Sequence, residues 1–103
     1  LAQLKNLTQL SLGDNEITDI SPLKELKNLR ELGLAKNRLT DISPLMRLKN
    51  LNRLYLGKNV IVDYSPLYRL KNLRYLHFHR NQIPGHQEEA IKRALPDLTV
   101  YTE

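Results

Sequence analysis

His77 and His79 stand two residues apart, a spacing that puts both imidazoles on one face of an extended strand. Metal ligation and imidazole catalysis are therefore the first chemistries to weigh. Zinc would need a third ligand, and the neighbouring candidates Tyr55 and Tyr75 are poor ones. Arg74, Arg80 and Lys58 crowd the same neighbourhood with positive charge that repels a cation. A hydroxyl–histidine–carboxylate triad would need an acid beside one histidine. The outward acids Asp14 and Glu31 belong to earlier segments of the chain, roughly 10 Å or farther away at strand spacing. There is no cysteine nucleophile, glycine-rich phosphate loop or His-Glu-x-x-His motif. The expectation is no enzyme, no metal and no cofactor.

What must position these residues is a repeat. Asn15, Asn37, Asn59 and Asn81 recur every 22 residues. Leu7, Leu29, Leu51 and Leu73 keep the same interval, as do Leu10, Leu32, Leu54 and Leu76. Leu12, Leu34 and Leu56 follow, with Phe78 in the fourth slot. A fixed period of this length predicts stacked coils, each burying its apolar positions against its neighbours. Leu32-Gly33-Leu34 alternates inward and outward as a short strand does, so stacking would align such strands as a parallel sheet. The asparagines are expected to point inward and satisfy backbone groups where the chain leaves the sheet, since an amide both donates and accepts.

The return limbs read Ile17-Thr-Asp-Ile20-Ser-Pro-Leu23, Leu39-Thr-Asp-Ile42-Ser-Pro-Leu45 and Ile61-Val-Asp-Tyr64-Ser-Pro-Leu67. Serine followed by proline suits the N-cap and first position of a short helical turn. About five residues remain before Lys-Asn-Leu restarts the strand, so a 3₁₀-like turn is expected. The spacing Leu-x-x-Leu-x-Leu-x-x-Asn-x-Ile/Leu resembles the leucine-rich repeat family over nearly the whole chain. The 22-residue length and Asp-Ile-Ser-Pro-Leu resemble its bacterial, internalin-like subclass. That resemblance implies an α/β right-handed solenoid with short parallel strands on a concave face and 3₁₀-like turns on the convex face. It also implies protein binding on the concave sheet, no catalysis, and an extracellular or cell-surface location.

The two ends differ. His86–Leu95 is a good helix sequence, with acids early and bases late as the helix dipole prefers, and Pro96 stops it. Leu95, Leu98 and Val100 fall 22 residues after Leu73, Leu76 and Phe78, so a fifth coil is expected in that register. The chain is read as one domain, with repeats over 1–84 and a C-terminal capping segment, helix included, over 85–103. Leu1 and Leu4 enter partway through a coil, so an N-terminal cap is missing from this reading. The first coil would then fray or pair with a second copy as a homodimer.

Residues between the core leucines face outward. Thr8, Gln9, Ser11, Gly13 and Asp14 form a neutral-to-acidic row, followed by Arg30, Glu31, Gly33, Ala35 and Lys36. The later rows are basic and aromatic: Asn52, Arg53, Tyr55, Gly57 and Lys58, then Arg74, Tyr75, His77, His79 and Arg80. Tyrosine and arginine are enriched where binding energy concentrates. The expected partner surface is acidic, engaged through Arg30, Glu31, Lys36, Arg53, Tyr55, Lys58, Arg74, Tyr75, His77, His79 and Arg80. The alternative is a structural or self-associating segment of a larger surface protein.

Other features are weaker signals. A formal charge of +5 over 103 residues mildly favours acidic partners. Lys5, Lys27, Lys49 and Lys71 form a ladder, but no aromatics interleave with it as single-strand nucleic-acid binding would want. Nucleic acid is therefore an unlikely partner, and no apolar run approaches the roughly 20 residues of a membrane span. Val60, Val62, Met46 and Tyr68 replace polar residues of the other repeats. They are expected to form an exposed apolar patch, to reflect drift, or to touch an adjacent domain.

Overall fold

The computed structural model describes residues 5–78, 83 and 85–101. Five short strands form one parallel sheet in chain order: β1 (Gln9–Ser11), β2 (Glu31–Gly33), β3 (Arg53–Tyr55), β4 (Tyr75–His77) and β5 (Thr99–Tyr101). Each strand starts one residue earlier than the Leu-x-Leu alternation suggests. The ladder nevertheless continues through the second leucine, with Leu34 N–H donating to the Tyr55 carbonyl at 2.9 Å. The outer limbs are 3₁₀ turns at Ser21–Glu25, Ser43–Arg47 and Ser65–Arg69, then a ten-residue helix α1 at Gly85–Ala94.

The leucine period does what its spacing requires. Leu29, Leu32, Leu34, Leu39, Ile42, Leu45 and Leu48, one coil's worth of apolar positions, are each no more than 1% exposed. Burial of such side chains contributes roughly 1.5–3 kcal/mol apiece. In the first coil Leu7, Leu10, Leu12 and Ile17 pack against the core but are only half-buried.

Asparagine closes each coil. The Asn37 amide donates to the carbonyls of Leu12 and Leu34, both at 3.0 Å, and its oxygen accepts from Ile17 N–H at 3.0 Å. Asn59 repeats the pattern one coil on, donating to Leu34 and Leu56 and accepting from Leu39 N–H. One side chain thus ties adjacent coils where no strand ladder is available. Asn81 lies outside the described residues. The residue before Asn15, Asn37 and Asn59 takes the left-handed conformation, with φ of 65° at Asp14, 61° at Lys36 and 58° at Lys58.

Two local expectations are corrected. Serine does not cap the 3₁₀ turns. It is their first residue, and its N–H donates to the aspartate two positions before it, as Ser21 does to Asp19 Oδ1 and Ser43 to Asp41 Oδ1, both at 2.9 Å. These bonds, made chiefly by the serine N–H and then by its hydroxyl, lower the pKa of Asp19 and Asp41. The register of the last strand also differs from a strict 22. Earlier neighbours pair at that interval, as Leu54 does with Leu76, but Leu76 pairs with Val100 and His77 with Tyr101, an interval of 24. The outer limb here is a ten-residue helix in place of a five-residue 3₁₀ turn, and the longer element consumes two more residues before the chain regains the sheet.

Tyr64, at an isoleucine position, is buried and meets Phe78 edge-on, with ring centroids 5.2 Å apart. Gln87 of α1 then takes the linking role between coils. Its oxygen accepts from Tyr64 N–H at 2.9 Å, and its amide donates to the Val62 carbonyl at 2.8 Å. Val60 and Val62 are exposed, whereas Met46 and Tyr68 are half-buried, Tyr68 against the core.

Candidate binding surface

Because the strands are in register, outward residues line up in rows across the sheet. One row runs Ser11, Gly33, Tyr55, His77 and Tyr101; the next runs Gln9, Glu31, Arg53, Tyr75 and Thr99. Adjacent strands stand about 4.8 Å apart, close to the spacing at which flat rings stack. Tyr55 and His77 stack with centroids 4.4 Å apart, and His77 and Tyr101 stack at 4.5 Å. In the second row the Arg53 guanidinium lies 4.5 Å from the Tyr75 ring centre, a cation–π contact. Its Nη1 is 3.5 Å from the Tyr55 hydroxyl. Tyr75 faces Tyr101 in turn at 6.5 Å.

The structure therefore brings together four of the expected residues, Arg53, Tyr55, Tyr75 and His77, in one locked cluster. The hydrogen bond with Tyr55 raises the Arg53 pKa further above neutrality. His77 moves the other way. Its imidazole sits between two rings, Nε2 is buried without a hydrogen-bond partner, and desolvation, then Arg53, lowers its pKa. Like charge is thus the second cause of that shift, behind burial. Among the described residues no three His, Cys, Asp or Glu side chains gather into a metal site.

The other expected residues sit around this cluster. Arg30 and Arg74 line a polar groove of about 700 Å³ along the strand entrances, with Asn50, Asn52 and Asn72. Arg74 is held there, its Nη1 donating to the Lys71 and Leu73 carbonyls at 3.1 and 3.3 Å. Lys36 and Lys58 are exposed on the opposite rim, in their left-handed turns. Glu31 is half-buried between the groove and a second hollow nearer Tyr55. His79, Arg80, Leu1 and Leu4 lie outside the described residues.

Sequence reasoning missed two sets. Tyr101 completes the aromatic row, and the signal was the alternation Thr99-Val100-Tyr101; assuming a strict 22-residue interval aligned Val100 with Phe78 and hid it. The asparagines after the ladder lysines are also structural. Asn28, Asn50 and Asn72 donate to the carbonyls of Lys5, Lys27 and Lys49 in the preceding coil, at 3.0 to 3.1 Å. The lysine ladder is thus carried on an inter-coil backbone clasp.

The family profile described as Leucine Rich repeats (2 copies) matches residues 5–47 and again 27–68. This chain is a leucine-rich repeat protein of the bacterial, internalin-like kind. Internalin C2 of Listeria monocytogenes is similar over 99% of the chain, at 39% identity and a TM-score of 0.88. A leucine-rich repeat protein of Leptospira interrogans is similar over 96%, at 34% identity and a TM-score of 0.84. The internalin inlF of Listeria monocytogenes is similar over 97%, at 26% identity and a TM-score of 0.77. The chain spans 44%, 26% and 35% of those three proteins respectively. Curated protein sequences contain no significant match to it. Leucine-rich repeat folds generally mediate protein–protein interaction, and internalin-like members are generally binding modules without enzymatic activity. No helix among the described residues is long and apolar enough to cross a membrane.

Proposed function

We propose that this leucine-rich repeat chain binds a protein through its concave sheet face, engaging an acidic partner surface with the C-terminal half. The observation that carries the reading is the pre-formed cluster of Arg53 over Tyr75 beside the stacked Tyr55 and His77. Side chains already held by stacking lose less conformational freedom on association, which favours affinity. Arg30, Arg74, Lys36 and Lys58 add positive charge at the two rims, and His79 and Arg80 belong to the same proposed set by their place in the sequence. In the same reading the chain is one domain, with residues 85–103 serving as its C-terminal cap.

The test is capture of protein partners by the immobilised chain, alongside a variant carrying Arg53→Ala, Tyr55→Ala and Tyr75→Ala. The captured protein is expected to be acidic at the contact and to be lost on this substitution, with the parallel sheet retained by circular dichroism. Equal capture by a folded variant would overturn the reading.

A further inference from the structure

The outward row is interrupted. Tyr55, His77 and Tyr101 form three stacked rungs, but the preceding position is Gly33. Nothing local calls for glycine there. Its φ is not positive, and a Cβ would meet Ser11 Oγ at 3.5 Å and Ser11 Cα at 3.7 Å, which are ordinary contacts. Gly13 differs, since a Cβ on it would press to 3.2 Å from the Ala35 carbonyl oxygen. Glycine inside a strand weakens it and often marks a place where a ligand approaches closely. The consequence of Gly33 is space: a hollow of about 550 Å³ bordered by Gln9, Ser11, Ala35 and Tyr55. With His77 on one side of the Tyr55 ring, the other side is the wall of that hollow.

A charge lines the same hollow. Glu31 is paired in register with Arg53, yet Arg53 turns to Tyr75 and the Tyr55 hydroxyl. Glu31 is half-buried and close enough to Arg53 to help raise that residue's pKa, but it makes no direct ion pair among the described residues. We infer that this hollow receives an arginine side chain of a protein partner, its guanidinium stacking on Tyr55 at the Gly33 rung and hydrogen-bonded to Glu31. The inference rests on the sheet face being the partner-binding face. Guanidinium is flat, stacks on aromatic rings and presents a fork of donors to a carboxylate. A neutral ring would stack but strand the carboxylate without a partner. An ammonium group pairs with the acid but cannot form a planar rung.

The experiment titrates acetyl-arginine methylamide into the chain and follows backbone amides by NMR, with the lysine and phenylalanine analogues alongside. Only the arginine compound is expected to shift the Gly33 and Ala35 amides with saturation, in the millimolar range appropriate to one side chain. Glu31→Gln should weaken it about tenfold, the loss of one charge-assisted hydrogen bond. Gly33→Tyr should abolish binding by supplying the rung internally; if that variant does not fold, Gly33→Val blocks the same space. Equal shifts from the lysine or phenylalanine compound, or undiminished binding by the folded Gly33 variant, would overturn the inference. Absence of any arginine shift while Arg53/Tyr55/Tyr75-dependent capture persists would overturn this inference alone. Arginine binding without such capture would overturn the earlier reading alone.

Discussion

The two halves of the exposed sheet face share one backbone and one core, yet present opposite surfaces. Across β1 and β2 the outward residues are Gln9, Ser11, Glu31 and Gly33, none of them aromatic or basic, and the face is hollow. Across β3 to β5 they are Arg53, Tyr55, Tyr75, His77, Thr99 and Tyr101, and the face is filled by stacked rings and a guanidinium. Beneath both halves the same leucines and asparagines repeat. The difference teaches that inward positions are set by the need to close a coil. Outward positions carry no such requirement and differ from coil to coil.

The largest effect is expected from breaking what the halves have in common. Asn37→Ala removes one acceptor and the amide shared by two carbonyls in a nearly buried site. Leaving such groups unsatisfied should cost about 3 kcal/mol or more, read as a lower midpoint in urea. Asn15→Ala, at an exposed position with two local bonds, should cost well under half of that. Equal losses would show that the inter-coil bonds are not what makes the asparagine matter.

A smaller effect should separate the halves. His77→Ala removes the middle rung, and each stacked pair is worth about 0.5–1.5 kcal/mol, so a loss near 2 kcal/mol is expected. Ser11→Ala, in the same row, should change stability by less than about 0.5 kcal/mol. If both variants melt alike, the rings decorate the sheet without bracing it.

The smallest effect is a pH dependence confined to the aromatic half. The folded state lowers the His77 pKa below its ordinary 6.5, so the unfolded chain takes up the proton first. The stability contributed by neutral His77 is complete above 6.5 and declines as pH falls through that value towards the lower folded pKa. His77→Phe, which keeps a ring in the stack, should flatten stability between pH 7 and 5. A variant that tracks the native protein across this range would place the titration elsewhere.

The repeat made most of this fold legible. Leucine spacing identified the buried positions, Asn37 was placed inward with its donor and acceptor roles, and Ser-Pro marked the outer turns. What escaped was whatever depends on path length. A ten-residue helix shifts the last strand by two, and no interval counted from the leucines shows that. The cluster of Arg53, Tyr55, Tyr75 and His77 was foreseeable as a set because outward positions share a face. Its partners within that face were not. Whether Arg53 turns to its register neighbour Glu31 or to Tyr75 is decided by stacking geometry, which spacing does not contain. Gly33 read as an ordinary outward residue until its neighbour across the strand was seen to be a ring.

The parallel register also fixes how the molecule bears load. Its inter-strand hydrogen bonds run from coil to coil, so tension applied along the stack would load the interfaces in series and is expected to part them one at a time. Each coil that lets go releases 22 residues of chain, the interval between register partners, or roughly 75 Å at full extension. The helical coil releases about two residues more. Such a chain would lengthen under pull in steps of nearly equal size, and in the coils still closed the outward rows would keep their spacing.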